Sequence, residues 1–561
     1  MPAKDESVTF SRMLGVALLS GAALAFEILL LRIFSIADWH HLAFLVLSLA
    51  LFGYGASGTF LALAAGRVTR RAATVASVAA MSFAAAAPLS VIAYQNLEFN
   101  SLEIIWSGRQ AALLFVLYLL FAAPLFAAAT AIGLMLSRHA ADAARLYRAD
   151  LIGAGSGALV VIGLLYCMHP VTALQVAACC GAVAAALFAV SAPTARSLST
   201  AAVAVAVLVV LARPLLFPLR TSPFKELNQA LRIPGARVIA TRYSPLGIVT
   251  AVENRVVPFR FAPGLSLNYA GSLPEQVALF TDAGGMSVVS RFDEQSVDHY
   301  RYLPMAAAYH IGRAREAVAV IGAGGGAEVL SALRHGSRKV VAVEVNRALT
   351  DVVRKELGEF TGRVFDDPRV VVKTVDGRRF IIETEERFDV IQLSLVDSLA
   401  SSASGTHAIA ENFLYTVEAF DSWIDRLKPD GVVSVTRWMQ VPPRDIVKLL
   451  AAASVAMEKR GAEPREHLAV VRTWNTVTML LKRSPWSVTE LVALRRFCDE
   501  RSFDLDFAPR LARSETNRYN LLDDSYVFDA ASAVVGEARQ DFFRRYKFDV
   551  RPATDERPFF S

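Results

Sequence analysis

A glycine-rich turn is the first feature of this chain that could do chemistry. Residues 322–326 read Gly-Ala-Gly-Gly-Gly, directly after the apolar run Ala317–Ile321 and directly before Ala327–Leu333, which has helical spacing. Glycines allow a tight backbone turn and a close approach of the backbone to a ligand. Because strand, turn and helix follow in this order, the motif predicts a nucleotide-binding loop.

Two carboxylates follow the turn, each at the end of a predicted strand. Glu344 ends the run Lys339–Val343, about 20 residues past the turn, where a carboxylate can accept both ribose hydroxyls. Asp376 ends the run Val370–Val375 and is followed by Gly377. Open α/β sheets bind ligands at the carboxyl ends of their strands, so the turn and the two acids together predict a nucleoside site. Two alternatives stay open: the acids could cap helices or turns, and the ligand could be a dinucleotide.

The surrounding sequence predicts a doubly wound α/β domain that carries this site. Its further elements are a strand at Phe388–Leu395, a helix at Glu411–Leu427, a strand at Gly431–Thr436, amphipathic helices at Ile446–Lys459 and Val488–Ser502, and added sheet at Val477–Leu481. Three short β-branched or apolar runs precede this domain and predict a small antiparallel β-rich unit: Arg237–Thr241, Gly247–Val252 and Val277–Asp282.

The first 219 residues have a different composition. The chain has 561 residues, 54% of them hydrophobic, and its mean hydropathy of +0.39 averages an apolar first part and a second part of ordinary charge density. A membrane span needs about 20 apolar residues. Seven segments qualify, so we expect a bundle of about seven transmembrane helices: Met13–Phe34, Leu42–Ala64, Ala72–Tyr94, Ala111–Leu136, Leu151–Met168, Thr172–Ser191 and Ala201–Phe217.

The charges of the loops predict how this bundle is oriented. Basic residues concentrate in alternate loops, with Arg67, Arg70 and Arg71 after the second segment, so the positive-inside rule places the N-terminus in the cytoplasm of an inner-membrane protein. Seven crossings would then place the second part of the chain outside, whereas a nucleoside cofactor is made and kept in the cytosol. Two resolutions stay open: one segment is miscounted, most readily beside His169-Pro170, or the second part lies outside. Because of the cofactor, we favour a cytoplasmic second part.

Polar residues within the apolar segments are costly and therefore informative. Glu27 and Arg32 lie in the first segment, and Asp150 lies at the start of the fifth. They predict either a contact that fixes helix packing or a site for a polar or cationic substrate. The small residues of Gly153–Gly157 predict a close contact between helices.

Two classes of site are disfavoured by the composition. Much of the basic excess behind the net charge of +6 lies in short loops, without basic runs that interleave aromatic residues, so nucleic acid is not an expected partner. Of the four cysteines, three lie in apolar segments, and the nine histidines are scattered, so neither a metal site nor a disulfide framework is expected.

The stretch from about Asp282 to Trp438 resembles the spermidine synthase (polyamine aminopropyltransferase) superfamily. The glycine turn is similar to the family's G-G-G-D-G loop, and three further motifs are similar to its V-E-I/V, D-P-R…D-G and Y-D-V-I motifs: Val343–Val345, Asp367–Arg369 with Asp376-Gly377, and Phe388–Ile391. Outside this core, residues 20–27, residues 147–154 and the tail Pro552–Phe560 resemble membrane-fused bacterial members.

The resemblance implies a Rossmann-like fold of the S-adenosylmethionine-methyltransferase type and assigns roles to the matched residues. Glu344 would hold the ribose and Asp376 the adenine amino group of S-adenosylmethionine or its decarboxylated form. The glycines complete the expected cofactor-binding set, with Gly322, Gly324 and Gly326 at the cofactor's tail, joined by Gly325 and Gly377. A substrate nucleophile would attack a carbon bonded to sulfonium, so the protein mainly positions the partners and accepts a proton.

The chain departs from the family at two positions. Gly325 stands where the family has an aspartate that contacts the cofactor's tail amine; loss of this acid favours the intact cofactor, whose tail also carries a carboxylate. The family's catalytic D-x-x-D-P reads Ser394-Leu395-Val396-Asp397-Ser398, so Ser394 replaces the usual proton acceptor. We expect Asp397, Ser394 and Glu411 to be the catalytic residues, although Asp397 could instead cap the serine-rich segment that follows.

Three functions stay open. The resemblance implies a membrane-anchored transferase of aminopropyl groups to an amine. Gly325 and Ser394 favour methyl transfer to a small or lipid-soluble acceptor instead. The third alternative is a polyamine or cation transporter whose second part senses a nucleoside or is inactive.

The expected partners are a small-molecule acceptor such as a polyamine and the lipid bilayer, and a homodimer is an open option. The expected domains are a transmembrane domain at 1–219, a linker and β-rich unit at 220–300, a Rossmann-like domain at 301–440 and an α/β extension at 441–561.

Overall fold

The computed structural model describes residues 8–38, 43–100, 103–104, 106–190, 195–216, 218–292, 296–396 and 411–560. The chain divides into two units. The first comprises Met1–Asn228 with Tyr243–Ile248, and the second comprises Gln229–Arg242 with Val249–Ser561.

The first unit consists of helices, because in long apolar runs a helix satisfies its backbone hydrogen bonds within itself. Two short helices, Arg213–Leu216 and Glu226–Leu231, follow seven longer ones. The longer helices are α1 (Phe10–Ala37), α2 (Ala43–Val68), α3 (Ala72–Asn96), α4 (Gly108–Arg138), α5 (Ala143–Leu164), α6 (Pro170–Ala189) and α7 (Ala195–Leu211).

Five described helical stretches are long and apolar enough to cross a membrane: Phe10–Ala37, Ser48–Asn96, Gly108–Arg138, Ala140–Leu164 and Pro170–Ala189. The 49-residue stretch Ser48–Asn96 contains most of α2 and all of α3, joined by a single 3-10 turn. Helices α5 and α6 both qualify by length and composition, and the expected miscount beside His169-Pro170 stays a prediction. Helix α7 has 17 residues and rises about 25 Å, less than the ~30 Å hydrocarbon core. The number of crossings stays a prediction that depends on α7.

Helices α1 and α5 pack with their backbones in contact. A Cβ atom added to Gly153 would lie 2.1 Å from the Ala17 carbonyl oxygen, and one added to Gly157 would lie 2.4 Å from the Cα of Gly21. Gly155, on the same helix, has no such neighbour within 4 Å. The close contact predicted from the small residues of α5 is therefore confirmed.

Polar side chains also join these helices. The Tyr54 hydroxyl of α2 donates to the Glu27 carboxylate of α1 at 2.6 Å, and the Ser20 hydroxyl of α1 donates to the Asp150 carbonyl oxygen of α5 at 3.1 Å. Glu27 thus forms a contact that fixes helix packing, which was the first of its two predicted roles. The substrate site that Glu27 and Asp150 also suggested stays a prediction.

The second unit begins with a four-stranded antiparallel sheet in sequence order, β1 (Ala236–Arg242), β2 (Val249–Asn254), β3 (Gln276–Thr281) and β4 (Gly284–Ser290). Three of these strands match the predicted β-rich unit. Strand β4 was missed because it opens with two glycines, which are poor strand residues. It forms a hairpin with β3 across Asp282 and Ala283, whose positive φ angles of 50° and 61° suit a turn of this kind.

An eight-stranded mixed sheet forms the centre of the second unit, in the order β12-β10-β11-β9-β8-β5-β6-β7. Strands β5 to β9 pair in parallel, and β10, β11 and β12 add an antiparallel edge. The strands are β5 (Ala317–Ile321), β6 (Lys339–Val343), β7 (Val370–Lys373), β8 (Phe388–Ser394), β9 (Leu427–Trp438), β10 (Leu468–Arg472), β11 (Thr476–Lys482) and β12 (Asp504–Phe507).

Hydrophobic cores cover both faces of this sheet, as the doubly wound prediction requires. Short helices lie between its strands, and longer ones follow. They are α8 (Ala327–Arg334), α9 (Arg347–Asp351), α10 (Gly377–Glu383), α11 (Val417–Asp425), α12 (Asp445–Lys459), α13 (Val488–Arg501), α14 (Tyr526–Val535) and α15 (Arg539–Arg545). The predicted α/β architecture is confirmed, with a mixed sheet.

The C-terminal tail, residues 552–560, pairs with the segment that precedes α11. The Asn412 N–H donates to the Pro558 carbonyl oxygen at 2.7 Å, and the Thr416 hydroxyl donates to the Asp555 carboxylate at 2.6 Å. Thr416 also caps α11 by accepting from the Ala419 N–H. The predicted helix start at Glu411 is therefore wrong, because residues 411–416 form a turn against the tail and the helix begins at its cap.

Replacing Gly157 with valine should disrupt the contact between α1 and α5, because the new side chain has no space. We expect a loss of about 1–3 kcal/mol or more in the free energy of unfolding. Thermal unfolding of the detergent-purified protein would measure this loss. Gly155→Val is the matched control and should have a much smaller effect, because Gly155 faces open space. Equal effects of the two substitutions would contradict the contact.

Candidate active site

Four adjacent parallel strands bring the predicted site residues to one edge of the sheet. Strand pairing aligns Ile321 of β5 with Val343 of β6 and Leu393 of β8, and aligns Val343 with Lys373 of β7. The glycine loop follows β5, Glu344 follows β6, Asp376 lies three residues past β7 and Ser394 ends β8. This is the edge at which open α/β sheets bind ligands.

Glu344 is tied to the glycine loop. Its carboxylate accepts hydrogen bonds from the Gly324 N–H at 3.1 Å and from the Asn346 N–H at 2.9 Å. Burial raises the pKa of Glu344, while these backbone donors act in the opposite direction. Each carboxylate oxygen keeps further acceptor capacity, so Glu344 can still accept hydroxyl donors from a ligand.

The glycine loop has a shape that only glycines adopt without strain. Gly322 and Gly326 have φ angles of 74° and 86°, in the left-handed region. The N–H groups of Gly322 and Ala323 both donate to the Val343 carbonyl oxygen, at 2.9 and 3.0 Å. The loop is therefore fixed to the end of β6 before helix α8 begins.

Gly325 packs directly against strand β4. A Cβ atom at this position would lie 2.2 Å from the Val288 carbonyl oxygen, which no real side chain tolerates. The absence of an acid at Gly325 was interpreted above in electrostatic terms alone. The structure adds a steric cause, because the β-rich sheet occupies the space that such a side chain would need.

Asp376 and Gly377 lie at the same edge, at the start of α10. Asp376 is exposed and caps the helix, since its carboxylate accepts from the Arg379 N–H at 2.9 Å. A Cβ atom at Gly377 would lie 2.4 Å from the Ile321 side chain. Gly377 therefore lets α10 start close against β5, and the assignment of Asp376 to an adenine amino group stays a prediction.

Ser394 belongs to a chain of buried polar contacts. The Tyr309 hydroxyl donates to the Gln392 side-chain oxygen at 2.7 Å, the Gln392 amide donates to the Ser394 hydroxyl at 3.3 Å, and this hydroxyl lies 3.7 Å from the Met305 sulfur. Leu395 then turns out of the strand with a φ of 49°, a conformation that a non-glycine residue rarely adopts. The Ser394 hydroxyl is therefore held by buried contacts at the carboxyl end of β8, and its catalytic role stays a prediction.

The structure describes only one of the other two predicted catalytic residues, Asp397 and Glu411. Asp397 lies outside the described residues. Glu411 is exposed, and its backbone pairs with Phe559 of the C-terminal tail. No hydrogen bond or ion pair within the described residues joins the Glu411 side chain to the other predicted site residues. Its catalytic role stays a prediction.

Glu328, in the first turn of α8, was not predicted. Its side chain is partly accessible, yet burial raises its pKa to about 7. Desolvation therefore favours the protonated form of Glu328 at the start of α8, close to the glycine loop. The sequence signal was weak, because an acid in the first turn of a helix is ordinarily explained by the helix dipole.

Comparisons with known proteins agree with the resemblance. Residues 303–473 match the spermine/spermidine synthase domain family. The chain is similar to a polyamine aminopropyltransferase of Korarchaeum cryptofilum, with 32% identity over 22% of this chain and 35% of the relative. It is also similar to polyamine aminopropyltransferase 2 of Hyperthermus butylicus, with 28% identity over 36% of this chain and 69% of the relative.

Other comparisons limit what these matches cover. The chain spans about a third of the length of the first curated relatives that it matches. The crystal structure of spermidine synthase from Thermotoga maritima aligns with 16% identity and a TM-score of 0.30, over 55% of this chain and 86% of that one. The resemblance to spermidine synthases is confirmed for residues 303–473, where the family match lies.

Introducing an acid at Gly325 should destabilise the second unit rather than restore a family contact. Gly325→Asp and Gly325→Ala should both lower the free energy of unfolding by about 1–3 kcal/mol or more, because both add a Cβ atom against the Val288 carbonyl oxygen. Thermal unfolding of the two variants measures this. A stable aspartate variant beside a destabilised alanine variant would contradict the steric explanation.

Proposed function

We propose that this chain, whose residues 303–473 form a spermidine synthase-like domain, is a membrane-anchored transferase that moves an aminopropyl group from decarboxylated S-adenosylmethionine to an amine. The proposal rests on one observation. A hydrogen bond joins the glycine loop to the Glu344 carboxylate at the carboxyl edge of parallel strands. This arrangement suits the ribose of the donor's nucleoside and the tail attached to the donor's sulfur.

Binding of the donor would use groups that are already positioned. Glu344 accepts from two backbone N–H groups and has capacity left for ribose hydroxyls. Gly324 faces open space apart from its own loop, which leaves room for the donor's tail. Asp376, at the same edge, would accept from the adenine amino group.

The reaction needs little beyond alignment. The acceptor nitrogen forms a bond to the propyl carbon next to sulfur, the carbon–sulfur bond breaks, and methylthioadenosine leaves with the electron pair. The acceptor nitrogen must lose one proton for each transfer. We assign the proton acceptor to Asp397, because Ser394 carries no carboxylate and its hydroxyl is already engaged.

Methyl transfer from intact S-adenosylmethionine is the second candidate. The observation that favours it is the missing acid at Gly325, since the intact donor has a carboxylate in its tail that an acid would repel. The contact between Gly325 and β4 weakens this argument, because it gives a packing reason for the same absence.

Isothermal titration calorimetry of the detergent-purified protein would separate the two candidates. We expect tighter binding of the decarboxylated donor than of S-adenosylmethionine. Glu344→Gln should weaken both by about 100-fold, because a buried charged acceptor of two ribose hydroxyls is lost. The exposed Glu537→Gln is the matched control and should change neither affinity.

Each other outcome has a clear meaning. Tighter binding of the intact donor would select methyl transfer. If the wild type bound neither donor, the nucleoside site would be wrong and a transporter would become the better hypothesis.

We further propose that the first unit lies in the inner membrane and that the second unit lies in the cytoplasm. Five described stretches are long and apolar enough to span a bilayer, and the longest of them contains two helices. We take α7, with 17 residues, not to cross. The six crossings of α1 to α6 would then return the chain to the side of its N-terminus. The basic loop after α2 supports a cytoplasmic N-terminus.

Reporter fusions after Arg220 would test this orientation. We expect a green fluorescent protein fused there to fluoresce and an alkaline phosphatase to be inactive. Fusions after Glu103, in the loop between α3 and α4, should give the opposite result and serve as the control. An active phosphatase after Arg220 would place the second unit outside and contradict the proposal.

A further inference from the structure

A cluster of polar side chains lies between helix α8 and the segment that leads into β5. Glu328, Ser331 and His335 share one face of α8, because they are spaced by three and four residues. The ring of Tyr309 stacks on His335 with centroids 4.7 Å apart. Tyr300 completes the lining, because the 3-10 helix Ser296–Tyr302 that carries it packs against α8. Burial, and to a lesser extent the Glu328 charge, raise the pKa of both Tyr300 and Tyr309. We call these five side chains the Glu328 recess.

Several polar atoms of the recess are buried without a hydrogen-bond partner among the described residues. They are the hydroxyls of Tyr300 and Ser331 and the Nε2 atom of His335. Tyr300 is 2% exposed and Ser331 is fully buried. Ser290 is close enough to influence the Tyr300 hydroxyl, but the pair does not reach hydrogen-bond geometry. Unpaired buried polar atoms are costly, and a cluster of them indicates that a polar ligand completes the recess.

Each of the unpaired atoms can accept a hydrogen bond, and the two hydroxyls can also donate. The His335 Nδ1 atom lies 2.7 Å from the Ser331 carbonyl oxygen, so Nδ1 carries the proton and Nε2 is an acceptor in the neutral ring. Burial lowers the pKa of His335 to about 4, which keeps the ring neutral at pH 7. The Tyr300 oxygen and the Glu328 carboxylate are further acceptors. The recess therefore suits a ligand that donates several hydrogen bonds.

Glu328 makes the recess suitable for a cation. No ion pair within the described part of the chain includes Glu328, and burial without an opposing positive charge raises its pKa to about 7. The nearby arginines have other partners, since Arg301 and Arg334 pair with Asp298 and Arg501 pairs with Glu500. An ammonium group would supply the missing counter-ion and favour the ionised carboxylate.

The recess is connected to the candidate active site by two routes. Helix α8 begins at Ala327, directly after the glycine loop and one residue before Glu328. Tyr309 reaches the end of β8 through Gln392 and Ser394. The recess also supplies a carboxylate close to Gly325, the position at which strand β4 leaves no room for one.

We propose that the Glu328 recess binds an ammonium group of a substrate, with Glu328 as the counter-ion and Tyr300 and His335 as hydrogen-bond acceptors. This inference rests on the proposed function and makes it more specific. The ammonium group can come from the tail of the aminopropyl donor or from the amine acceptor, and these sources have the same chemistry.

Calorimetry with Glu328→Gln distinguishes the sources. The three probes are 5′-methylthioadenosine, decarboxylated S-adenosylmethionine, and 1,4-diaminobutane added in the presence of saturating methylthioadenosine. Methylthioadenosine has no ammonium group, so its affinity should stay unchanged and show that the nucleoside site is intact. The affinity of the probe whose ammonium group occupies the recess should fall about 10- to 100-fold. A loss for the donor identifies its tail, and a loss for the diamine identifies the acceptor.

Tyr300→Phe provides an independent test that does not remove a charge. The affinity of the same probe should fall about tenfold, because one acceptor is lost. The protein should remain at least as stable to heat, since the hydroxyl has no partner in the unliganded chain. Glu537→Gln again serves as the exposed control for Glu328→Gln.

The inference would be overturned if methylthioadenosine bound normally to Glu328→Gln and neither ammonium-bearing probe lost affinity. Absence of methylthioadenosine binding to the wild-type protein would overturn the proposed function and this inference together. These two outcomes are distinguishable, because only the first leaves the nucleoside site intact.

Discussion

The hydrogen bond from the Gly324 N–H to the Glu344 carboxylate is the interaction on which the second unit depends. It joins the loop after β5 to the end of β6, where the Val343 carbonyl oxygen also accepts from two loop N–H groups. Helix α8 starts from this fixed loop, so its direction and the position of Glu328 follow from the same contacts. A buried carboxylate that holds a loop and can still accept a ligand's hydroxyls links folding to binding.

The β-rich sheet is part of this arrangement and not a separate attachment. Its strand β4 touches the glycine loop at Gly325, so the backbone of one sheet limits which side chains the loop of the other can carry. A change of one residue in a binding motif can therefore have a packing cause at a distant point of the sequence. The charge of the motif alone would attribute the glycine at position 325 to a preference for one ligand. The structure shows that strand β4 leaves no space for a side chain there.

The sequence predicted local patterns well and long-range contacts poorly. The glycine turn, Glu344 and the strands around them were identified because strand, turn and helix signals agree at each position. Strand β4 was missed because it begins with two glycines, which are poor strand residues. The start of α11 was misplaced because residues 411–416 pair with the tail instead of continuing the helix. Glu328 was missed because its significance arises from Tyr300, Tyr309 and His335, which the sequence alone does not bring together.

The pairing of the C-terminal tail with residues 412–416 has a consequence for the order in which the second unit folds. The Asn412 N–H and the Thr416 hydroxyl find partners in Pro558 and Asp555, and the latter pair is separated by 139 residues of chain. Contacts between such distant residues form slowly, because the long loop between them must close first. The segment before α11 therefore reaches its final structure after the strands of the sheet between them have paired.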